Sequence, residues 1–179
     1  MAPAALRRLV WPAATVGAAA FIVALALHGE RPEPGLARFV AAGLMTLPPE
    51  RVSEVDVTSG GRTWRLRRAE SRWTLVEGGP LRMPDPRLQI EEALALLHRS
   101  GPERTLTADE ATGAERDFGL DRPALTVTAR AAPAPPFTIH FGGRNPLGLA
   151  RYARVDGHAG VVLLPGFVAE AWERLVGPP

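Results

Sequence analysis

The side chains that could do chemistry are scattered along this chain. His28, His98, His140 and His158 are far apart, and none shares a helix face with a second histidine or a glutamate at metal-ligand spacing; only Asp156 lies near His158, in an expected turn. Ser53, Ser59, Ser71 and Ser100 fall in polar or turn contexts, and none sits in the Gly-x-Ser-x-Gly string of a strained nucleophile turn. Glu91-Glu92 and Asp109-Glu110 are adjacent carboxylates on stretches that read as exposed, whereas acid–base work would need them buried. The pairs Gly78-Gly79 and Gly142-Gly143 match neither a dinucleotide nor a phosphate-loop pattern, so hairpin turns are expected at both. With no cysteine there is no thiolate nucleophile, no disulfide and no thiolate metal site. No catalytic residue, cofactor or metal is assigned on these grounds. A hydrolase would require a cleft in which histidine and carboxylate side chains converge.

One cluster of charge stands out: Arg62, Arg65, Arg67, Arg68 and Arg72. In a strand, Arg65 and Arg67 point away from Trp64 and Leu66, forming a basic strip that could meet lipid headgroups or an acidic partner. The alternative is a solvated sheet face balanced by Glu54 and Asp56 on a paired strand.

The elements that must hold these residues are legible from period. Val55 and Val57 alternate with Glu54, Asp56 and Thr58, Gly60-Gly61 turns the chain, and Trp64 and Leu66 alternate with Thr63, Arg65 and Arg67. A turn near 69–71 leads to Trp73 and Leu75, giving a three-stranded meander. Asp85 as N-cap and Pro86 in the first turn open a helix with Ile90, Ala93, Leu94 and Leu97 inward and Arg87, Glu91 and Glu92 outward; Gly101-Pro102 ends it. Further strands are expected around Leu125 to Ala129, Phe137 to Phe141, Arg151 to Val155 and Val161 to Leu164. A closing helix buries Phe167, Val168, Ala171, Trp172 and Leu175. The fold class is α+β: antiparallel meander-plus-helix units, with the two halves alike enough in outline to suggest two quasi-repeats.

Upstream, the run from Leu9 to Leu27 carries no charge and follows Arg7 and Arg8. At about 1.5 Å per residue it spans roughly 28 Å, close to the ~30 Å hydrocarbon core of a bilayer. The two arginines favour a cytoplasmic N-terminus, which places the chain from Gly29 onward outside the bacterial inner membrane as a periplasmic domain on a single-pass anchor. Ala24-Leu25-Ala26 has the spacing of a signal-peptidase site, so the alternative is a soluble periplasmic ligand-binding module released by cleavage. The run is longer than the ~7–15 residues of a usual signal core, which favours the anchor. Residues 1–28 are thus read as stub and transmembrane anchor, 29–51 as linker and short helix (Leu36 to Leu47, with Phe39, Val40, Leu44 and Met45 buried), and 52–179 as the exported domain. All 21 basic residues are arginines; with Arg7 and Arg8 set aside, the remaining 19 match the 19 acids. That neutrality argues against nucleic acid as a partner.

A further string carries more identity than period. Phe118-Gly119-Leu120-Asp121-Arg122-Pro123 leads into Leu125-Thr126-Val127; before it come Val55-Asp56-Val57, Trp64 to Arg68, Arg72 to Leu75 and Leu94 to Leu97, and after it Ile139 to Gly143 and Arg151 to Val155. Over roughly residues 52 to 176 this pattern resembles the DUF4340 family of bacterial membrane-anchored proteins, whose genes often neighbour ABC-type export permeases. The resemblance implies an envelope accessory protein working by protein–protein interaction with a permease and an ATPase, and it carries no catalytic residues. On the residues themselves, Phe118, Gly119, Leu120 and Pro123 read as structural, with two large apolar side chains flanking a turn-forming glycine and a proline fixing entry into the next strand.

Overall fold

Among the described residues eight strands join one antiparallel sheet. The computed structural model describes residues 43–111 and 114–177. Strands β1 (Glu54–Ser59), β2 (Arg62–Ala69) and β3 (Arg72–Glu77) form the first meander. Helix α1 (Arg87–Arg99), the short strand β4 (Arg104–Leu106) and helix α2 (Ala108–Ala111) follow. A second meander comprises β5 (Leu125–Arg130), β6 (Phe137–Arg144), β7 (Ala150–Val155) and β8 (Val161–Pro165), and α3 (Gly166–Val176) closes the fold. The spatial order is β3-β2-β1-β5-β6-β7-β8-β4. The meanders meet where β1 pairs β5 in register, Val57 opposite Val127. The architecture is α+β.

One face of the sheet is apolar because every second residue is. Val55, Val57, Trp64, Leu66, Leu125, Val127, Ile139 and Phe141 are buried against α1 and α3. Helical spacing brings Ile90, Ala93, Leu94 and Leu97 of α1 and Val168, Ala171, Trp172 and Leu175 of α3 onto the same core. Arg151 is drawn into this face by the pleat of β7, and Glu173 of α3 accepts a hydrogen bond from it.

A second, smaller core lies on the opposite face at the β7-β8-β4 side. There Leu106, Ala111, Leu120 and Val161 are buried, with Phe118 and Tyr152 packed against them. The chain from β4 to β5 crosses this face as a cover. Thr107 and Glu110 start α2 reciprocally: the Glu110 carboxylate accepts from the Thr107 backbone N–H at 2.8 Å, and the Glu110 N–H donates to Thr107 Oγ1 at 3.3 Å. Neither β4 nor α2 was expected, although Thr107-x-x-Glu110 was the signal available for α2.

Several expectations are corrected. Pro86, not Asp85, occupies the N-cap position of α1; Asp85 instead accepts from the Arg87 N–H at 3.0 Å, because Pro86 has no N–H to offer there. The described end of the expected helix up to Leu47 is not helical. Its residues run alongside α1, with the Gly43 and Met45 N–H groups donating to the His98 and Leu97 carbonyls, both at 3.1 Å, so the free carbonyls of the α1 terminus take up this segment. Met45 is buried as expected; Phe39 and Val40 lie outside the described residues. Gly78-Gly79 follows β3 and leads to α1 instead of turning a hairpin, with the Gly79 carbonyl accepting from Trp64 Nε1 at 3.1 Å. Gly142-Gly143 lies inside β6, where the missing Cβ has another use, described below. Phe167 is 48% exposed. It precedes Val168 in the first turn of α3 and falls at the flank of the apolar stripe, beyond the sheet.

Candidate interaction face

Among the described residues nothing covers the face opposite the helices over β2, β1, β5 and β6, and its side chains are set by alternation with the core. Pairing places them in rows across the strands. Thr63, Thr58, Thr126, His140 and Arg154 form one row. Glu77, Arg65, Asp56, Thr128 and Thr138 form the next. Arg67, Glu54 and Arg130 begin a third.

Arg65 and Arg67, the strip singled out in the sequence, stand on this face while Trp64 and Leu66 are buried on the other. Each has carboxylate partners. Arg65 Nε donates to Asp56 Oδ1 at 3.1 Å and Nη1 to Glu77 Oε2 at 2.7 Å. Arg67 Nε donates to Glu54 Oε1 at 2.9 Å, and Arg130 reaches the second Asp56 oxygen at 2.9 Å. The hydrogen bond from Asp56, followed by the charges of Asp56 and Glu77, holds the Arg65 guanidinium above its ordinary protonation range. The strip is therefore a lattice of alternating charge, with Asp56 at its centre holding two arginines.

Hydroxyls fill the rest of the face. Thr58 and Thr63 hydroxyls are 2.9 Å apart, and those of Thr128 and Thr138 are 3.2 Å apart. His140 lies 3.2 Å through Nδ1 from Thr126 Oγ1 and 2.9 Å through Nε2 from Asp156 Oδ1. An Nε2–H tautomer donates to the carboxylate and leaves Nδ1 to accept from Thr126. The order hydroxyl–imidazole–carboxylate is that of an activated nucleophile; Thr126 and His140 stand on the sheet face, and Asp156 follows β7 at the mouth of a groove lined by Phe137 and Val155. Sequence reading placed Asp156 beside His158; the structure pairs it with His140 across the β6-β7 ladder.

The Phe118-Gly119-Leu120 string bounds this face. Gly119 adopts φ +66, the left-handed region, and the Gly143 N–H donates to the Phe118 carbonyl at 2.7 Å. A Cβ on Gly142 would collide with that same carbonyl oxygen. The glycine pair thus lets a crossing loop lie directly on a strand. The Phe118 ring stacks on Tyr152 with centroids 4.4 Å apart, and Leu120 is buried in the second core. Pro123 stands two residues before β5. Glu115 on the same loop accepts from Arg154 at 3.2 Å. Arg7 and Arg8 lie outside the described residues, as does the run Leu9 to Leu27. Among the described residues no helix is long and apolar enough to cross a membrane.

Fold and face together define an α+β domain on a single eight-stranded antiparallel sheet, one side clothed by helices and the other carrying a small second core over β7, β8 and β4 beside a paired-charge and threonine surface on β2, β1, β5 and β6. Scans against known protein families, curated proteins and solved structures find no match for the chain.

Proposed function

We propose that this chain is a membrane-anchored periplasmic accessory or scaffold subunit of an ABC-type transport or envelope assembly, acting by contact with a permease and an ATPase. The observation that carries the reading is the open sheet face, whose Arg65, Asp56, Arg130, Arg67 and Glu54 side chains are held in fixed relative positions by ion pairs. A surface ordered in advance loses little freedom on docking, and an alternating pattern of charge discriminates partners more than it adds affinity. The uncharged run after Arg7-Arg8 supports the anchor, and the Phe118-to-Pro123 string supports kinship with DUF4340. A duplicated meander-plus-helix unit is supported by β1-β2-β3 preceding α1 and β5 to β8 preceding α3.

The test is recovery of the full chain from membranes in mild detergent. Permease and ATPase should co-purify with the wild type, and the double substitution Arg65→Glu with Arg67→Glu should reduce that recovery at least tenfold. Recovery without either partner overturns the proposal. A mature protein beginning after Ala26 by intact mass replaces the anchor with the released-module reading.

A further inference from the structure

We infer that two copies of this chain join edge to edge through β3, each adding its outermost strand to the other's sheet. Among the described residues β3 is paired on one side only, by β2. An outer strand leaves a row of backbone N–H and C=O groups without ladder partners, and what completes such a row is another extended backbone. The turn sets which groups those are. Ala69 and Arg72 close a two-residue hairpin whose first central residue, Glu70, has φ +57, so they form a hydrogen-bonded pair. Alternation then directs the backbone groups of Arg72 and Thr74 toward β2 and those of Trp73 and Leu75 to the outer edge. The bulge at Val76, where Leu75 faces Leu66 but Glu77 faces Arg65, ends this window.

The window is self-complementary, which selects a second copy as the occupant. With the two β3 strands antiparallel and Thr74 opposite its own copy on a two-fold axis, Trp73 of each chain faces Leu75 of the other, and the outward backbone groups of both meet as hydrogen-bonded pairs. Side chains agree with backbone. Trp73 and Leu75 lie on the helix-clothed side, 5% and 38% exposed, so the contact covers a leucine that the single sheet leaves wet and adds two aromatic–aliphatic cross-strand pairs. On the other side the two Thr74 side chains meet, as Thr58 meets Thr63 at 2.9 Å and Thr128 meets Thr138 at 3.2 Å within the sheet. The stretch Trp73-Thr74-Leu75-Val76 holds neither charge nor proline, the usual means of blunting an edge. The opposite edge, β4, is blunted by its length of three residues. A two-fold contact uses the same surface on both chains, so the assembly closes at two.

This inference is independent of the proposed transporter role and reads out differently, in cross-linking and mass instead of co-purification. The chain has no cysteine, so a single introduced thiol reports a single register. On the axis, Thr74 and its copy form a non-hydrogen-bonded pair with Cα atoms about 4.5 Å apart, within the ~4.4–6.8 Å that a disulfide bridges. Under mild oxidation of the full chain in detergent, Thr74→Cys should become a covalent dimer at least tenfold faster than Leu88→Cys, at a position of α1 that is 75% exposed. Sedimentation of wild type across a hundredfold concentration range should show monomer and dimer in equilibrium. Leu75→Pro removes an N–H from the outer edge and spares the β2 ladder, so it should weaken association at least tenfold with thermal unfolding unchanged. Leu75→Glu, which keeps the N–H and sets a charge against Trp73 of the other copy, should do the same. A wild type that stays monomeric, equal cross-linking at positions 74 and 88, faster cross-linking of Leu75→Cys than of Thr74→Cys, or dimers that survive both Leu75 substitutions each overturn the inference.

Discussion

Gly142 shows how one missing methyl group shapes the molecule. Because the Phe118 carbonyl occupies the space a Cβ would take, Gly142→Ala must push the 114–120 loop off β6 and disturb the Phe118–Tyr152 stack. The expected cost is about 1–3 kcal/mol, the range for forcing extra atoms into a packed site, and urea unfolding with tryptophan fluorescence would measure it. Gly61 is constrained differently: nothing lies within reach of an added Cβ, and its left-handed φ of +77 is what favours glycine there. Glu110 makes a second residue-scale prediction. Its carboxyl is held below the ordinary range first by the backbone N–H of Thr107, then by the Thr107 hydroxyl. A depressed folded value means that its contribution is fully present above the unfolded value and fades as pH falls through the folded one. Thermal unfolding of wild type should therefore exceed that of Glu110→Gln near neutral pH, and the gap should close on acidification below about pH 4. A gap that widens in acid contradicts the assignment.

At the scale of elements, α3 is tied to the sheet by packing and by a single enclosed ion pair. Arg151 on β7 and Glu173 on α3 are both largely shielded from water. Removing one partner strands the other charge, so Glu173→Ala should cost about 3–5 kcal/mol, whereas replacing both with apolar residues of similar volume should be close to neutral. A double-mutant cycle in urea decides this; a small single-mutant effect would mean that water reaches the pair. Sequence period located β1, β2, α1 and β5 to β8 through a buried face at spacing two or 3.6, and β3 through the alternation of Trp73 and Leu75, although at the sheet edge only Trp73 is buried and Leu75 is 38% exposed. It missed β4 because three residues cannot display a period. It also took Gly142-Gly143 for a turn, because a glycine pair signals close approach and reversal equally well until the crossing segment is known.

For the whole molecule, the proposed role depends on which compartment the sheet face of β2, β1, β5 and β6 meets. A reporter at the C-terminus that is active only outside the cytosol is the expected result for an anchor read from Arg7, Arg8 and the run to Leu27. Exclusive cytosolic activity would remove the periplasmic reading altogether. Composition, alternation and helical spacing were enough to determine the α+β class, most of the core and the side of β2 on which Arg65 and Arg67 stand, because these are local properties of a pleated or coiled backbone. Tertiary structure alone decided which strands became neighbours, that Asp56 holds two arginines, that Asp156 serves His140, and that Phe118 rests on Gly142-Gly143. Those contacts join residues far apart along the chain. Their partners are chosen by sheet order and loop crossing, which no local period encodes.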